Sequence, residues 1–283
     1  MIKKLDASLA EQRVEDIAVS EKLTGIHYGL SNSEYHAHES ISKSGLDLIN
    51  ISPAHYKLSE RKESTAFKQG TAIHTAILEP DELDKRYFFI PEKLDLRKTY
   101  GKSKNQEYAL KNEGKTLLTI EEYAMLSGIR REVGNHKLAR QLFDGGKSEV
   151  SFFSQINGVD VRARPDYWSG SVVVDLKSTD RADSISFDKS VRAYRYFVQH
   201  PFYQDVMQSA GVEIEAFLFV VVEKQEPFGI GVFELDNNYI EYGRREYMRN
   251  LDTYKRSLDT GDWPCYPEKL QTLICPNYLA NTL

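Results

Sequence analysis

The sequence predicts an α/β fold in which a mixed central sheet of about five strands is flanked by helices. Two strand-like segments, residues 149–156 and 159–168, flank Asn157-Gly158, a dipeptide typical of two-residue hairpin turns. A third segment, Val172–Thr179, opens with an apolar run that is typical of a buried central strand. Later segments of strand-like composition complete the predicted sheet: Glu215–Glu223 and Gly229–Leu235.

Short helices are predicted before this sheet. Ser42 or Ser44 is placed to cap a first helix, and Ser52-Pro53 has the composition of a second helix start. The segment Phe67–Leu78 carries small residues on one face, which favours a closely packed helix. A proline soon after this segment ends the helix, and the aromatic run that follows predicts a short strand.

Longer helices are predicted on either side of the strands. The capping-box sequence Thr119-Ile-Glu-Glu122 predicts one helix over about residues 119–143. Ser184 is placed to cap another helix, which Pro201 should kink. A last helix is predicted over residues 238–259.

Length and composition indicate an ordinary globular protein. The 283 residues are 41% hydrophobic, enough for a sizeable core, and the apolar runs are too short to span a bilayer. We expect residues 1–24 to be a disordered leader, residues 25–260 a single domain and residues 261–283 an irregular tail. The start of the sequence lacks the apolar segment of a signal peptide, so we place the protein in the cytoplasm with no membrane partner. Its cysteines, Cys265 and Cys275, are too few for a four-cysteine metal site.

The charge pattern allows two interpretations of one basic stretch. The net charge of −5 argues against a protein that coats nucleic acid, although a nuclease can combine acidic metal ligands with local basic patches. Residues 97–115 form the most basic stretch, with little apolar content, and predict a loop. This loop would be either solvated surface or a mobile arm that touches the DNA backbone.

Alternation along the central strands brings charged side chains together. Arg162, Arg164 and Asp166 fall on one face of their predicted strand, and Asp175 with Lys177 on one face of the next. An Asp-x-Lys pair alone is usually a solvated pair at a strand end. Two charged residues directly after an apolar run in a central strand are much less common, and they favour a functional site.

The chemistry of this set suggests phosphodiester hydrolysis with divalent metal ions. Carboxylates hold Mg²⁺ well, which fits Glu149, Asp166 and Asp175, with the Leu176 backbone carbonyl as a further ligand. Lys177 would point into the same space, where its ammonium group can orient water and stabilise charge on the phosphate.

Helical residues near these strands have both structural and functional interpretations. Gln199 and Tyr203 lie one turn apart and can face the same way. His74 follows Gly70 by one turn, and a lone helical histidine is more often structural than a metal ligand. Ser42 and its neighbours at a helix start favour a capping role over phosphate binding.

In these motifs the chain resembles the PD-(D/E)XK nuclease superfamily in its RecB-like form. The residues that carry the resemblance are Glu149, Arg-Pro-Asp166, Asp175-Leu-Lys177, Gln199-x-x-x-Tyr203 and Gly70-x-x-x-His74. More closely, the chain resembles the nuclease domain of the RecE (exonuclease VIII) family over roughly residues 25–235. Further shared segments are Ile41-Ser-Lys-Ser44, Ser52-Pro-Ala-His-Tyr56, Gly70-Thr-Ala-Ile-His-Thr-Ala-Ile-Leu-Glu-Pro80 and Gln199-His-Pro-Phe-Tyr-Gln-Asp205.

The resemblance implies a restriction-endonuclease-like core and a magnesium-dependent exonuclease, with Mn²⁺ as a substitute metal. Such an enzyme degrades linear double-stranded DNA in the 5′-to-3′ direction and leaves 3′ overhangs for a RecT-type single-strand-annealing protein in recombination. It also implies a ring-shaped homo-oligomer, a trimer or tetramer, and a phage or prophage context. The alternatives are an endonuclease of restriction or repair type and a catalytically inactive DNA-binding module of the same fold.

The resemblance also implies roles for particular residues. It makes Lys177 the catalytic lysine, has Gln199 and Tyr203 orient the substrate or the site, and reverses the structural interpretation of His74. The implied metal-site residues are His74, Glu149, Asp166, Asp175 and the Leu176 carbonyl. We further expect DNA contacts from Ser42, Lys43, Ser44, Arg162, Arg164, Arg192 and Arg195.

Overall fold

The computed structural model describes residues 23–60 and 65–275. Residues 1–22 of the predicted leader and 276–283 of the predicted tail therefore lie outside the described part of the chain. The strands are β1 Gly25–His27, β2 Tyr87–Phe89, β3 Thr116–Leu118, β4 Lys147–Ser148, β5 Ser151–Ile156, β6 Val159–Ala163, β7 Tyr167–Ser169, β8 Val172–Thr179, β9 Ala216–Glu223 and β10 Ile230–Glu234.

The helices surround these strands on both faces. They are α1 Asn32–Ala37, α2 Lys43–Ile51, α3 Pro53–Leu58, α4 Thr65–Leu78, α5 Leu83–Arg86, α6 Thr99–Lys111, α7 Ile120–Asn135, α8 Lys137–Leu142, α9 Ser184–Ala193, α10 Tyr196–Ser209 and α11 Asn237–Thr260. A 3₁₀ turn over Pro80–Glu82 precedes α5. Within the described ranges, no helix is both long and apolar enough to cross a membrane.

The predicted mixed sheet of five strands is confirmed, with the order β10-β9-β8-β7-β4. Strands β8 and β9 run parallel, and the other neighbours are antiparallel. Alternate residues of β8 enter different cores: Val173 packs on the side of α9, α10 and α11, whereas Val174 and Leu176 pack on the side of α4 and α7. Asp175, two residues after Val173, therefore faces the helices that follow β8. Because both faces of β8 are buried, the strand begins with an apolar run.

The hairpin is confirmed, but its place in the five-stranded sheet was predicted wrongly. Strands β5 and β6 pair across Asn157 and Gly158, whose φ angles of 52° and 76° suit a type I′ turn. They form a separate three-stranded sheet with β1. The predicted strand over residues 159–168 divides at Pro165, which lacks an N–H group for a ladder hydrogen bond. After Pro165 the chain enters the larger sheet as β7.

The basic stretch 97–115 is not a loop. It contains α6, in which Lys104 and Lys111 both bind Glu107, at 2.9 and 2.7 Å. The loop that both interpretations assumed was therefore predicted wrongly. The low apolar content suggested a loop, but it is compatible with a helix here. Ion pairs between neighbouring turns stabilise α6, which has few buried side chains.

Helix boundaries differ from prediction at two places. The predicted helix over residues 119–143 breaks at His136, whose ring caps α8 by accepting a hydrogen bond from Ala139 N–H. The helix that was predicted to begin at Ser184 is capped by Asp183 instead. It ends before Arg195, and α10 then continues through Pro201. The C-terminal helix spans Asn237–Thr260, close to the predicted 238–259, and Gly261 caps its end with φ 71°.

The close packing of α10 against α11 depends on Gly243. A Cβ atom there would lie 1.7 Å from the carbonyl oxygen of Phe197. We expect Gly243→Ala to lower the free energy of unfolding by at least about 1–3 kcal/mol, because one of the two helices would have to move. Urea unfolding measures this change. Gly134→Ala in α7, where a Cβ would meet no atom within 4 Å, is the control and should not destabilise.

Candidate active site

A cavity of about 330 Å³ brings most of the predicted site together. It opens between the starts of α1 and α2, the end of β8 and one face of α10. The residues that line it are Asn32, Tyr35, His36, Ser42, Lys43, Ser44, Glu149, Arg164, Asp166, Asp175, Lys177, Gln199 and Tyr203. Residues far apart in the sequence thus share one polar space.

The connections between strands position the first carboxylates. Glu149 lies between β4 and β5 with φ 53°, an uncommon angle for a residue with a side chain, and its N–H donates to the Asp166 carbonyl oxygen at 3.1 Å. The Asp166 carboxylate in turn accepts a hydrogen bond from the Leu176 N–H at 2.7 Å. These bonds fix Asp166 against the edge of β8 beyond its pairing with β7. Because the N–H and C=O of a strand residue point to the same edge, the Leu176 carbonyl lies on this side too.

Helix α4 contributes a histidine to the same group. His74 Nδ1 lies 3.5 Å from Asp166 Oδ1, and ligand atoms of His74, Glu149 and Asp166 all lie within 4.8 Å of one another. His74 faces a second cavity of about 680 Å³, and Glu149 belongs to the wall that both cavities share. His74, Glu149 and Asp166 were predicted to lie at one metal site, and the structure places them close together.

This cluster fits a divalent cation. Burial, together with the neighbouring charge of Asp166, raises the pKa of Glu149 to about 8. Two carboxylates and an imidazole at this separation would be stabilised by a positive ion between them. The carboxylate oxygens suit Mg²⁺ or Mn²⁺, and the imidazole nitrogen suits Mn²⁺ better than Mg²⁺. His74, Glu149 and Asp166 are the residues that would hold such an ion, and Asp175 lines the same cavity as the two carboxylates.

Asp175 and Lys177 form a buried ion pair on one face of β8. Asp175 is 1% exposed; its Oδ1 contacts the Lys177 ammonium group and its Oδ2 accepts a hydrogen bond from Gln199 Nε2. Burial raises the pKa of Asp175 to about 6, against the opposing effect of Lys177. Burial alone would lower the pKa of Lys177, but Asp175 and Asp166 outweigh it and the pKa is raised. Lys177 is therefore a fixed positive charge at neutral pH.

Helix α10 closes the site with Gln199 and Tyr203. Gln199 holds Asp175, as described above, and Tyr203 lines the same cavity one turn later. Burial raises the pKa of Tyr203 well above its ordinary value, so its hydroxyl group stays protonated. Tyr203 can thus donate a hydrogen bond to an anion at any pH near neutrality.

The start of α2 meets the cavity at Ser42, Lys43 and Ser44. Of the two predicted caps, Ser42 is the N-cap: its Oγ accepts a hydrogen bond from Gly45 N–H at 3.4 Å and shares another with Ser44 Oγ. Lys43 Nζ binds Asp47 at 2.7 Å. Capping and cavity lining are therefore compatible, and phosphate contact by these residues stays a prediction.

The predicted DNA-binding arginines have different surroundings. Arg162 is buried and donates to the backbone carbonyls of residues 38 and 40, and it does not line the cavity. Arg164 does line the cavity; it donates to Ser151 Oγ at 2.8 Å and lies 4.1 Å from the Tyr35 ring centroid. Alternation placed both on one face, yet only Arg164 reaches the site.

Two arginines after β8 are also outside the cavity lining. Arg192 is exposed and pairs with Asp188 at 2.7 Å. Arg195 binds Asp47 at 3.0 Å and Glu246 at 3.4 Å, which ties three helices together. The structure thus gives Arg162 and Arg195 structural partners, and their contact with DNA stays a prediction.

Sequence reasoning missed part of the cavity wall. Tyr35 belongs to α1, which a capping box of Ser31 and Glu34 could have revealed. Tyr196 lies outside the cavity lining, but its ring centroid is 4.5 Å from Lys177 Nζ, and its sequence context gave no comparable signal. Its position depends on the backbone of Arg195, which is left-handed with φ 55°.

The metal-free protein should become less stable as the pH rises through the range in which Glu149 titrates. The pKa of Glu149 is 4.5 ordinarily and about 8 in the fold, so between these values the folded state binds a proton that the unfolded state releases. Each increase in pH in this window therefore favours unfolding. We expect the melting temperature in EDTA to fall from pH 5.5 to pH 8 more steeply than in Glu149→Gln. Equal slopes in the two proteins would contradict this assignment.

Comparison with known proteins agrees with the fold. Residues 42–275 match the family model described as "PDDEXK-like domain of unknown function (DUF3799)". A crystal structure from Eubacterium rectale, described as a putative exonuclease, aligns with a TM-score of 0.60 and 17% identity over 90% of this chain and 98% of that chain. The protein SSO0001 aligns with a TM-score of 0.25 and 15% identity over 72% of this chain and 84% of that chain. No curated protein matches the sequence.

Proposed function

The chain belongs to the PDDEXK-like family DUF3799, and we propose that it is a divalent-metal-dependent exodeoxyribonuclease. The observation that supports this most strongly is the convergence of Asp166, Asp175 and Lys177 in one cavity beside the His74–Glu149 pair. A cation at such a cluster supplies charge neutralisation for the phosphate and a lowered pKa for water. Mg²⁺ is the metal we propose, with Mn²⁺ able to substitute.

The chain's own groups suit hydrolysis of a phosphodiester. Water attacks phosphorus and releases a proton to solvent, the P–O bond to the leaving oxygen breaks, and that oxygen takes up a proton from solvent. Lys177 places a permanent positive charge where negative charge develops on the phosphoryl oxygens. Gln199 holds the Asp175 carboxylate in place by donating to Oδ2. Tyr203, which lines the same cavity, offers a neutral hydroxyl donor.

The proposed substrate is linear double-stranded DNA, cut from its 5′ end to leave a 3′ overhang. Support comes from the start of α2, where Ser42, Lys43 and Ser44 meet the cavity at a helix N-terminus that favours a phosphate. A RecT-type annealing partner, action in recombination, a ring-shaped trimer or tetramer and a cytoplasmic location complete the proposal.

Digestion of a linear duplex tests the activity, its polarity and its metal requirement together. With either end of one strand labelled, Mg²⁺ should allow stepwise release of nucleotides from the 5′ end, and EDTA should stop it. A 5′-phosphate should be preferred to a 5′-hydroxyl group. Cutting of covalently closed plasmid would favour an endonuclease, and binding without any metal-dependent cutting would favour an inactive DNA-binding module.

A further inference from the structure

A left-handed turn beside the active cavity stacks two tyrosines on each other. Helix α9 ends before Tyr194 and α10 begins at Tyr196; Arg195 between them has φ 55°. In a continuous helix, residues two positions apart do not face each other. Here the rings of Tyr194 and Tyr196 stack, with centroids 5.6 Å apart and planes at 28°.

Charged groups from neighbouring helices hold this turn. The Arg195 guanidinium group binds Asp47 of α2 at 3.0 Å and Glu246 of α11 at 3.4 Å. Lys43 Nζ donates to the Tyr194 carbonyl oxygen at 2.7 Å. An uncommon backbone angle that several partners hold in place is typical of a functional segment.

The stacked pair connects the protein surface to the catalytic lysine. Tyr196 is half-buried, and its ring centroid lies 4.5 Å from Lys177 Nζ and 5.9 Å from Lys43 Nζ. Tyr194 is 62% exposed. Its ring therefore lies within about 10 Å of the Lys177 ammonium group, which corresponds to about three base steps of 3.4 Å along a DNA strand.

We propose that Tyr194 is a stacking surface for a nucleobase close to the scissile phosphodiester. This inference rests on the proposed nuclease function and adds a contact to the base, where the cavity itself offers contacts to phosphate. Stacking on an aromatic ring accepts any base, which suits an enzyme that must pass through every sequence. The lysines beside the ring pair favour the phosphates on either side of that base.

A tyrosine of similar exposure lies on a different helix. Tyr100, at 64% exposed, lies on α6 and does not line the cavity. It therefore provides a matched control, since Tyr100→Leu removes an equally exposed ring. Tyr194→Leu removes the stacking surface, and Tyr194→Phe keeps it while removing the hydroxyl group.

The test combines these variants with DNA that lacks one base. Four linear duplexes are used, each with one abasic residue at a different one of the first four positions from the cleaved end. Cleavage of each duplex is measured with Mg²⁺. For wild type, one abasic position should lower kcat/KM roughly 5- to 100-fold, the range for loss of one stacked base. Tyr194→Leu should lower kcat/KM on intact DNA by a similar factor and be insensitive to that abasic position. Tyr194→Phe and Tyr100→Leu should behave as wild type.

The outcomes separate the inference from the proposed function. Metal-dependent cleavage by wild type with no sensitive abasic position would overturn the inference alone. The inference would also be overturned if the abasic position lowered kcat/KM of Tyr194→Leu as much as that of wild type. The loss of the ring and the loss of the base would then act independently. Absence of metal-dependent DNA cleavage by wild type would overturn the proposed function and the inference with it.

Discussion

Replacing Lys177 with methionine is expected to lower the rate of DNA cleavage at least about 100-fold while the fold is retained. Methionine keeps the apolar stem but removes the ammonium group that contacts Asp175 and lies over the Tyr196 ring. The charge that develops on the phosphoryl oxygens then has no fixed positive partner at this position. Burial already raises the pKa of Asp175 to about 6. Loss of the lysine charge would raise this pKa further, so Asp175 would keep its proton at higher pH.

Single-turnover cleavage of an end-labelled duplex, with protein in excess, measures this loss. The matched control is Lys189→Met, which removes a lysine from the exposed part of α9 and should leave the rate unchanged. Circular dichroism and thermal unfolding establish that both variants fold. A Lys177→Met rate within a few-fold of wild type would show that the lysine is not part of the chemistry.

The pairing of Asp175 with Lys177 could be predicted because it is local. Both residues belong to β8, and the period of a strand places every second side chain on one face. The apolar residues before Asp175 indicated burial, and a buried carboxylate requires a partner. Gln199 and Tyr203 were predicted on the same grounds, from the period of a single helix.

The membership of the central sheet could not be predicted in this way. Strands β5 and β6 pair with each other through a local turn, but no pattern in their sequence indicates which sheet they join. That choice depends on β1, which pairs with β5 from more than a hundred residues earlier in the chain. Pro165 was a local signal that the strand divides, since a proline cannot continue a central ladder.

Charge composition was a poor guide to the stretch 97–115. Gly101, one of the two glycines of this stretch, has a packing reason in α6: a Cβ there would lie 2.2 Å from the Asp95 carbonyl oxygen. The basic residues were similarly ambiguous, because Lys104 and Lys111 serve Glu107. Arg162 shows the same limit, since its carbonyl partners come from a distant segment. Whether a cation meets DNA or its own fold depends on tertiary partners.

Replacing Asp166 with asparagine is expected to have the other large effect, on metal binding. Asp166 links the cluster: Oδ1 approaches His74 and Oδ2 accepts from the Leu176 N–H. Asparagine keeps the size and one oxygen but removes the negative charge. We expect the affinity for Mg²⁺ and for Mn²⁺ to fall at least about 10-fold, with cleavage falling in parallel. Calorimetric titration of each metal measures this, and Glu121→Gln, which removes an exposed carboxylate, is the control.

His74 should separate the two metals, because an imidazole nitrogen is a softer ligand than a carboxylate oxygen and adds less to Mg²⁺ binding than to Mn²⁺ binding. His74→Ala is therefore expected to weaken Mn²⁺ more than Mg²⁺, whereas Asp166→Asn weakens both. The same titrations decide between a ligand and a structural histidine, since His74 approaches Asp166 at 3.5 Å and could act only by orienting it. An orienting role would lower both affinities by the same factor. Unequal losses would identify His74 as a direct ligand, and the cluster as a site whose metal preference is set by α4.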